Sequence, residues 1–369
     1  MEIRLKEIAK RHGIPAAAGV VVSAERVLWR SSVGEAREDS IFRLYSMTKA
    51  VTSVAAMQLV ERGLLTLDDP ASMWLPELGR LEVLEGFDAE GEPRLRPASK
   101  AVTARHLLTH TSGFGYEFTS PEILRYSEVT GKGGLADRRN GVLNSPLLFE
   151  PGEGWQYGVS TDWLGKLVEA ASGDSLGGYL KGQVFEPLGM KDTCFGVPEE
   201  KWGRVMKCRA RREDGGLEET PNGRPGQPVF ESGGGGLYGT VGDYCAFLQM
   251  MLRGGAPLLL AETMDEMARD QVAGMAAGRF RSTMRKYSLD ADLHPGHEDG
   301  WGLGFLVNRT GFEGGRSAGS LGWGGLANTF YWVDRARGIA AVVMMQVLPF
   351  FDAECIGVLR EFEEAVYRS

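Results

Sequence analysis

The sequence predicts an α/β protein with one antiparallel sheet, built from its N- and C-terminal segments and flanked by helices, with a mainly helical domain inserted between them. Three observations carry this. Two β-rich runs, Ala16–Ser23 and Arg26–Val33, lie near the start. Residues from about 103 to 200 then follow a helical pattern. Strand patterns return at Gly302–Val307, Arg316–Leu321, Ala327–Trp332 and Ile339–Gln346. Short turns join these last strands and leave no room for a crossover helix, so the sheet is expected to be antiparallel. On this reading residues 1–75 and 225–369 form the α/β domain and residues 76–224 the helical insert.

Each element has a local reason. MEIRLKEIAKRHG alternates charge with Ile3, Leu5 and Ile8 and reads as an amphipathic helix. The two-residue gap between the first β-rich runs is a hairpin turn. A strong helix spans Ser46–Arg62 and stops at Gly63, which suits a helix C-terminus. Residues 64–100 carry turns and short strands, with a hairpin around Ala89-Glu90-Gly91-Glu92. Short helices are expected at Thr103–Thr109, Thr161–Ala171 and Leu176–Val184. A polar, glycine-rich stretch over 208–236 ends in Ser232-Gly233-Gly234-Gly235-Gly236. Helices at Val241–Leu252 and Ala353–Tyr367 complete the set.

Composition excludes several classes of function. The net charge is -8 and the Lys and Arg residues are scattered, whereas nucleic-acid binding needs a basic stripe. No apolar run is long enough to span a membrane, and the first residues hold no apolar leader core, so a cytoplasmic protein is expected. Cys194, Cys208, Cys245 and Cys355 are widely spaced, and H-E-x-x-H is absent. Reduced structural thiols, no metal and no cofactor follow as expectations. Nothing in the sequence signals a particular oligomeric state.

The nucleophile candidate is Ser46. Read as a helix, SMTKAVTSVAAMQLV is apolar on most faces, and Ser46, Lys49 and Ser53 share one stripe. A serine at a helix start lies among unpaired backbone N–H groups, where the dipole favours negative charge. Lys49 sits one turn on. Burial disfavours an ammonium, which would suit that amine to take a proton from the serine. Alone, S-x-x-K is a weak motif, equally readable as a capping serine with a solvated lysine. A rival, Gly315-Arg316-Ser317-Ala318-Gly319, matches the G-x-S-x-G elbow. That elbow needs its histidine after the serine, and His12, His106, His110, His294 and His297 all precede Ser317.

Three longer segments are more specific: FRLYSMTKAVTS, LLTHTSGF at Leu107–Phe114, and PGEGWQYGVSTDWLGKLVE at Pro151–Glu169. In order and over nearly the whole chain, these resemble the serine β-lactamase-like esterases known as family VIII carboxylesterases, relatives of the class C β-lactamases. The resemblance implies a β-lactamase-like fold and carries the family's first motif onto Ser46 and Lys49. Its second motif falls on Tyr157-Gly158-Val159, with Val159 where an asparagine is common. Tyr157 would then act as general base and acid beside the lysine. The third motif falls on Trp323-Gly324-Gly325, so an indole replaces the usual lysine.

Losing that cation removes a partner for a substrate carboxylate and adds an apolar wall. Neutral short-to-medium acyl esters are therefore the expected small-molecule substrates. The two glycines would let the substrate approach the strand. By the same resemblance, the backbone N–H groups of Ser46 and Leu326 would form the oxyanion hole. His110 is expected to support its loop rather than move protons. The loops over 110–145 and 208–236 would set the pocket's size. Acyl transfer and β-lactam hydrolysis use the same first two motifs and stand as alternatives, as does a penicillin-recognising sensor without turnover.

Overall fold

The computed structural model describes residues 2–134, 141–221 and 223–368. Residues 135–140 and 222 of the two loops just named lie outside the described residues. The main sheet has seven strands, in the order Asp299–Trp301, Leu306–Asn308, Leu321–Gly325, Thr329–Asp334, Ile339–Met344, Ala16–Val22, Val27–Gly34. Every adjacent pair is antiparallel. The two ends of the chain meet where Ala18 stands opposite Met344 and Val22 opposite Ala340. The antiparallel sheet assembled from both termini is thus the one expected.

Alternation along the strands explains why the sheet is covered on both faces. Ala17, Val21, Trp332 and Val343 point to one side. There they pack with Leu5 and Ile8 of helix Leu5–Arg11 and with Val358 and Phe362 of helix Ala353–Tyr367. Ala18, Val20, Tyr331 and Val342 point to the other side and join the larger core. That core includes Phe247 and Met251 of helix Val241–Leu252, and helix Thr48–Glu61. Each such valine, leucine, isoleucine, methionine or phenylalanine, fully buried, contributes roughly 1.5–3 kcal/mol, so the two apolar layers hold the helices in register.

Several boundaries differ from expectation. The single strand expected over Gly302–Val307 is a tight turn flanked by two strands, closed by the Gly302 N–H donating to the Phe305 carbonyl at 2.8 Å. Gly304 there has φ 106°, a conformation open to glycine, and its large–small alternation with Leu303 and Phe305 imitates a strand. The strand expected at Arg316–Leu321 begins instead at Leu321. Arg316 is drawn into the preceding turn by a two-pronged ion pair to Glu363 and by the Trp332 ring, 4.6 Å below its guanidinium. The strand expected at Ala327–Trp332 starts at Thr329, after a turn in which Asn328 has φ 58°. Helix Pro121–Thr130, capped by Ser120, falls within the stretch expected to be helical, whereas helix Ala261–Ala268 has no counterpart among the expected elements.

The helix expected over Ser46–Arg62 has two parts. Tyr45–Met47 form one tight 3₁₀ turn, and the α-helix proper runs Thr48–Glu61. Every residue from Thr48 to Leu59 is buried, which accounts for a sequence apolar on most faces. Arg62 and then Gly63, at φ 68°, end it. Among the described residues, no helix is long and apolar enough to cross a membrane.

Candidate active site

Ser46 lies in the 3₁₀ turn, half-buried, directly after Tyr45, whose φ of 45° is left-handed. A bulky residue in that region is strained and must be held by its surroundings. One restraint is the strand Leu321–Gly325. A Cβ on Gly325 would stand 2.2 Å from the Leu44 carbonyl and 2.3 Å from Thr329 Oγ1. Only glycine lets this strand lie against the residue two before Ser46. The space left by Gly325 is therefore filled by the protein's own backbone, and that beside Gly324 by the Phe330 ring. Both gaps, expected to admit substrate, are thus closed by the protein itself. Leu326 follows directly, half-buried where both core layers meet.

Lys49 is almost fully buried, with 1% of its surface accessible. Its ammonium donates to Ser46 Oγ at 3.3 Å, to Tyr116 Oη at 3.1 Å and to the Gly234 carbonyl at 2.7 Å. All three ammonium protons thus have an acceptor, which a buried cation requires. Lys49 Nζ also stands 4.8 Å from the centre of the Tyr157 ring. Tyr157 Oη accepts the indole N–H of Trp323 at 3.1 Å. Ser46, Lys49, Tyr157 and Trp323 consequently meet at one place, although they come from the start, middle and end of the chain.

Two residues that sequence reasoning missed complete the polar centre. Tyr116 accepts from Lys49 and donates to Asp162 Oδ2 at 3.4 Å. Burial, together with the neighbouring Asp162 and Tyr157, pushes the Tyr116 hydroxyl well above the ordinary phenol range, so it stays protonated. Asp162 Oδ1 accepts the Ser232 hydroxyl at 2.5 Å and the Gly234 N–H at 3.1 Å. This carboxylate therefore fixes the glycine segment whose carbonyl receives Lys49. A Cβ on Gly234 would lie 2.3 Å from Asp162 Oδ2, so the approach depends on glycine there. Helix Thr48–Glu61 is sewn to the same segment by Thr52 Oγ1, which donates to the Gly233 carbonyl at 2.8 Å. The available signals were faint: Tyr116 lies two residues past the THTSGF segment, and Asp162 is the acidic residue in the first turn of helix Ser160–Ser172.

His110 is buried, at φ 58°, in the left-handed residue that ends helix Ala104–Thr109. Its ring lies 5.1 Å from Tyr157, 5.1 Å from Trp301 and 6.2 Å from Trp155. Its carbonyl accepts the Gln156 N–H at 3.0 Å, which ties its loop to the segment carrying Tyr157. Burial first, and the Lys49 charge second, push its pKa well below 6.5, so the ring is neutral at pH 7. Nδ1 has no hydrogen-bond partner among the described residues. Ser317 sits elsewhere, in the turn before Leu321, where its N–H donates to Asp334 at 2.8 Å.

Comparison with known proteins identifies the family. The family model described as Beta-lactamase matches residues 3–362. Monacolin J acid methylbutanoyltransferase of Aspergillus terreus is 33% identical over 355 residues, covering 89% of this chain and 82% of the relative. Esterase EstB of Burkholderia gladioli is 32% identical over 364 residues, covering 89% of this chain and 85% of its own. Among solved structures, a mutant simvastatin synthase (LovD) from Aspergillus terreus superposes with a TM-score of 0.87 at 30% identity, covering 99% of this chain and 93% of that one.

Proposed function

Since the chain belongs to the beta-lactamase family, we propose that it is a serine carboxylesterase that hydrolyses neutral short-to-medium acyl esters through an acyl-enzyme on Ser46. Its relatives include both esterases and acyltransferases, so it is an enzyme of the serine β-lactamase-like hydrolase and acyltransferase superfamily. The observation that carries the finer reading is the convergence of three side chains: Lys49 Nζ lies 3.3 Å from Ser46 Oγ and 4.8 Å from the centre of the Tyr157 ring.

On this proposal the reacting form carries one proton fewer on the Lys49 and Tyr157 pair, and that pair takes the Ser46 Oγ proton as Oγ attacks the ester carbonyl. The backbone N–H groups of Ser46 and Leu326 receive the developing oxyanion. Tyr157 returns the proton to the departing alcohol, and the C–O bond to that alcohol breaks. Water then attacks the acyl-enzyme with the same pair as base, releasing the acid and regenerating the serine. The Trp323 indole N–H, 3.1 Å from Tyr157 Oη, is placed to stabilise negative charge as the phenol gives up its proton. With an indole at position 323 the wall of the site is apolar, which favours uncharged esters over carboxylate-bearing ones. We also assign the protein to the reducing cytoplasm, on the strength of four free thiols, three of them buried.

Acyl transfer is the second reading, favoured by the match to a methylbutanoyltransferase. A phosphonate serine probe followed by peptide mass spectrometry tests the first claim. Label on the peptide holding Ser46 supports it, and label on that of Ser317 refutes it. Partition of the acyl-enzyme between water and an added alcohol then separates the two activities.

A further inference from the structure

Phe280 carries nothing in the mechanism above, yet its ring lies nearly parallel to that of Tyr157, 9° apart with centres 5.7 Å away. It is half-buried, packed against both core layers. Phe118 meets it edge-on at 6.3 Å, and Phe350 stacks at 6.2 Å. The segment carrying it has little regular structure of its own but is pinned at both ends of the aromatic group. The Thr283 N–H donates to the Phe118 carbonyl at 3.1 Å, and Phe350 exchanges backbone bonds with Tyr287 and Leu289 at 2.8 and 2.9 Å. A half-buried aromatic held this firmly beside a reacting phenol is a wall, not a passing contact.

Which part of the substrate that wall meets follows from the proton path. The group that protonates the leaving oxygen must come within hydrogen-bond reach of it, about 2.6–3.2 Å. Two rings stack on that phenol, Trp155 at 6.5 Å and 20° and Phe280 at 5.7 Å and 9°; Phe280, the nearer and more nearly parallel, is the one we place against the alcohol half of the ester. The acyl half stays attached to Ser46, beside Gly325 at the end of its strand and Leu326 just after it.

We propose that Phe280 is the specificity-determining residue for the alcohol portion of the substrate, setting an upper limit on the bulk of the leaving group while leaving acyl preference untouched. This rests on the reading of Ser46 and Tyr157 given above. An apolar wall discriminates by roughly 10–200-fold per misfitted group. Removing the ring should thus raise kcat/KM for a bulky alcohol relative to a small one by about tenfold.

The test compares wild type with Phe280→Ala and with the milder Phe280→Leu, on two ester series. One holds the acyl group at acetate and varies the alcohol from ethanol through butanol to cyclohexylmethanol. The other holds the alcohol at p-nitrophenol and varies the acyl chain from two to eight carbons. Phosphonate labelling of Ser46 is measured in all three proteins. The expected result is a shift in the first series, graded Ala beyond Leu, with an unchanged profile in the second. A shift in the acyl series, or equal changes in both, overturns the assignment of Phe280. Loss of Ser46 labelling in wild type would instead overturn the underlying active-site reading, so the two failures are distinguishable.

Discussion

Tyr116 and Tyr157 both set a phenol beside the Lys49 ammonium, and replacing each by phenylalanine separates their roles. Tyr116→Phe deletes the acceptor 3.1 Å from Lys49 Nζ and the donor 3.4 Å from Asp162. A hydrogen bond to a charged group contributes about 1.5–3 kcal/mol. Because Tyr116 keeps its proton, both bonds exist in the resting enzyme and persist through the reaction. Their loss therefore falls on stability far more than on the barrier, since only interactions stronger in the transition state raise the rate. The expected cost is about 3–6 kcal/mol in unfolding free energy for the two bonds together, with kcat within roughly tenfold of wild type. Tyr157→Phe is the reverse case. It removes one neutral bond, from the Trp323 indole, for about 1 kcal/mol. It also removes the proton carrier, for a loss of roughly 10²–10⁴ in kcat. Urea unfolding and steady-state hydrolysis of p-nitrophenyl butyrate, run on both variants, should rank them in opposite orders. If Tyr116→Phe loses more turnover than Tyr157→Phe, the proton path has been assigned to the wrong tyrosine.

Other outcomes follow from the same geometry. Asp162→Asn turns an acceptor toward Tyr116 into a donor and leaves a buried phenol proton without a partner. Stability should fall by about 1–3 kcal/mol, and kcat by tenfold or more as the Gly234 carbonyl drifts from Lys49; thermal unfolding and steady-state rates check both. Gly325→Ala forces a methyl group onto the Leu44 carbonyl, so a loss of about 1–3 kcal/mol is expected, together with impaired Ser46 labelling. His12 lies between Glu354 and Glu361, with 2.9 Å contacts on both ring nitrogens. Burial opposes its charge, but the two carboxylates outweigh burial and raise its pKa above 6.5. Stability from this clasp is complete below pH 6.5 and is lost as pH rises through the folded value. The melting-temperature advantage of wild type over His12→Gln should thus shrink from pH 6 to pH 9, and a constant gap would refute the argument.

What the sequence revealed and what it hid have physical causes. Helix Thr48–Glu61, the first hairpin and the final helix are written in local periodicity, so they could be read directly. The Trp323-Gly324-Gly325 strand was identified through resemblance, while its flanking boundaries slipped. The slip arose because Arg316 and Asn328 answer to distant partners: Glu363 and Trp332 for the arginine, the carbonyls of Val347 and Pro349 for the asparagine. Tyr116 and Asp162 escaped notice for a similar reason. Their role depends on Gly234, 118 and 72 positions further along the chain, and on a turn geometry that no short window contains. Phe280 gave no signal either, since its segment has almost no regular structure from which a face could be predicted.

The pairing of Ala16–Val22 with Ile339–Met344 also governs when the molecule can begin to work. During synthesis the partner of the first long strand emerges long after it, and the strand that braces the Ser46 turn only shortly before that partner. A nascent chain can hold Ser46 and Lys49 in place, yet it lacks Trp323 and the backbone wall at Gly325 until residues 321–325 have left the ribosome. Such distant pairing is slow to form, and it leaves the Ser46 hydroxyl without its neighbours until that strand has been made.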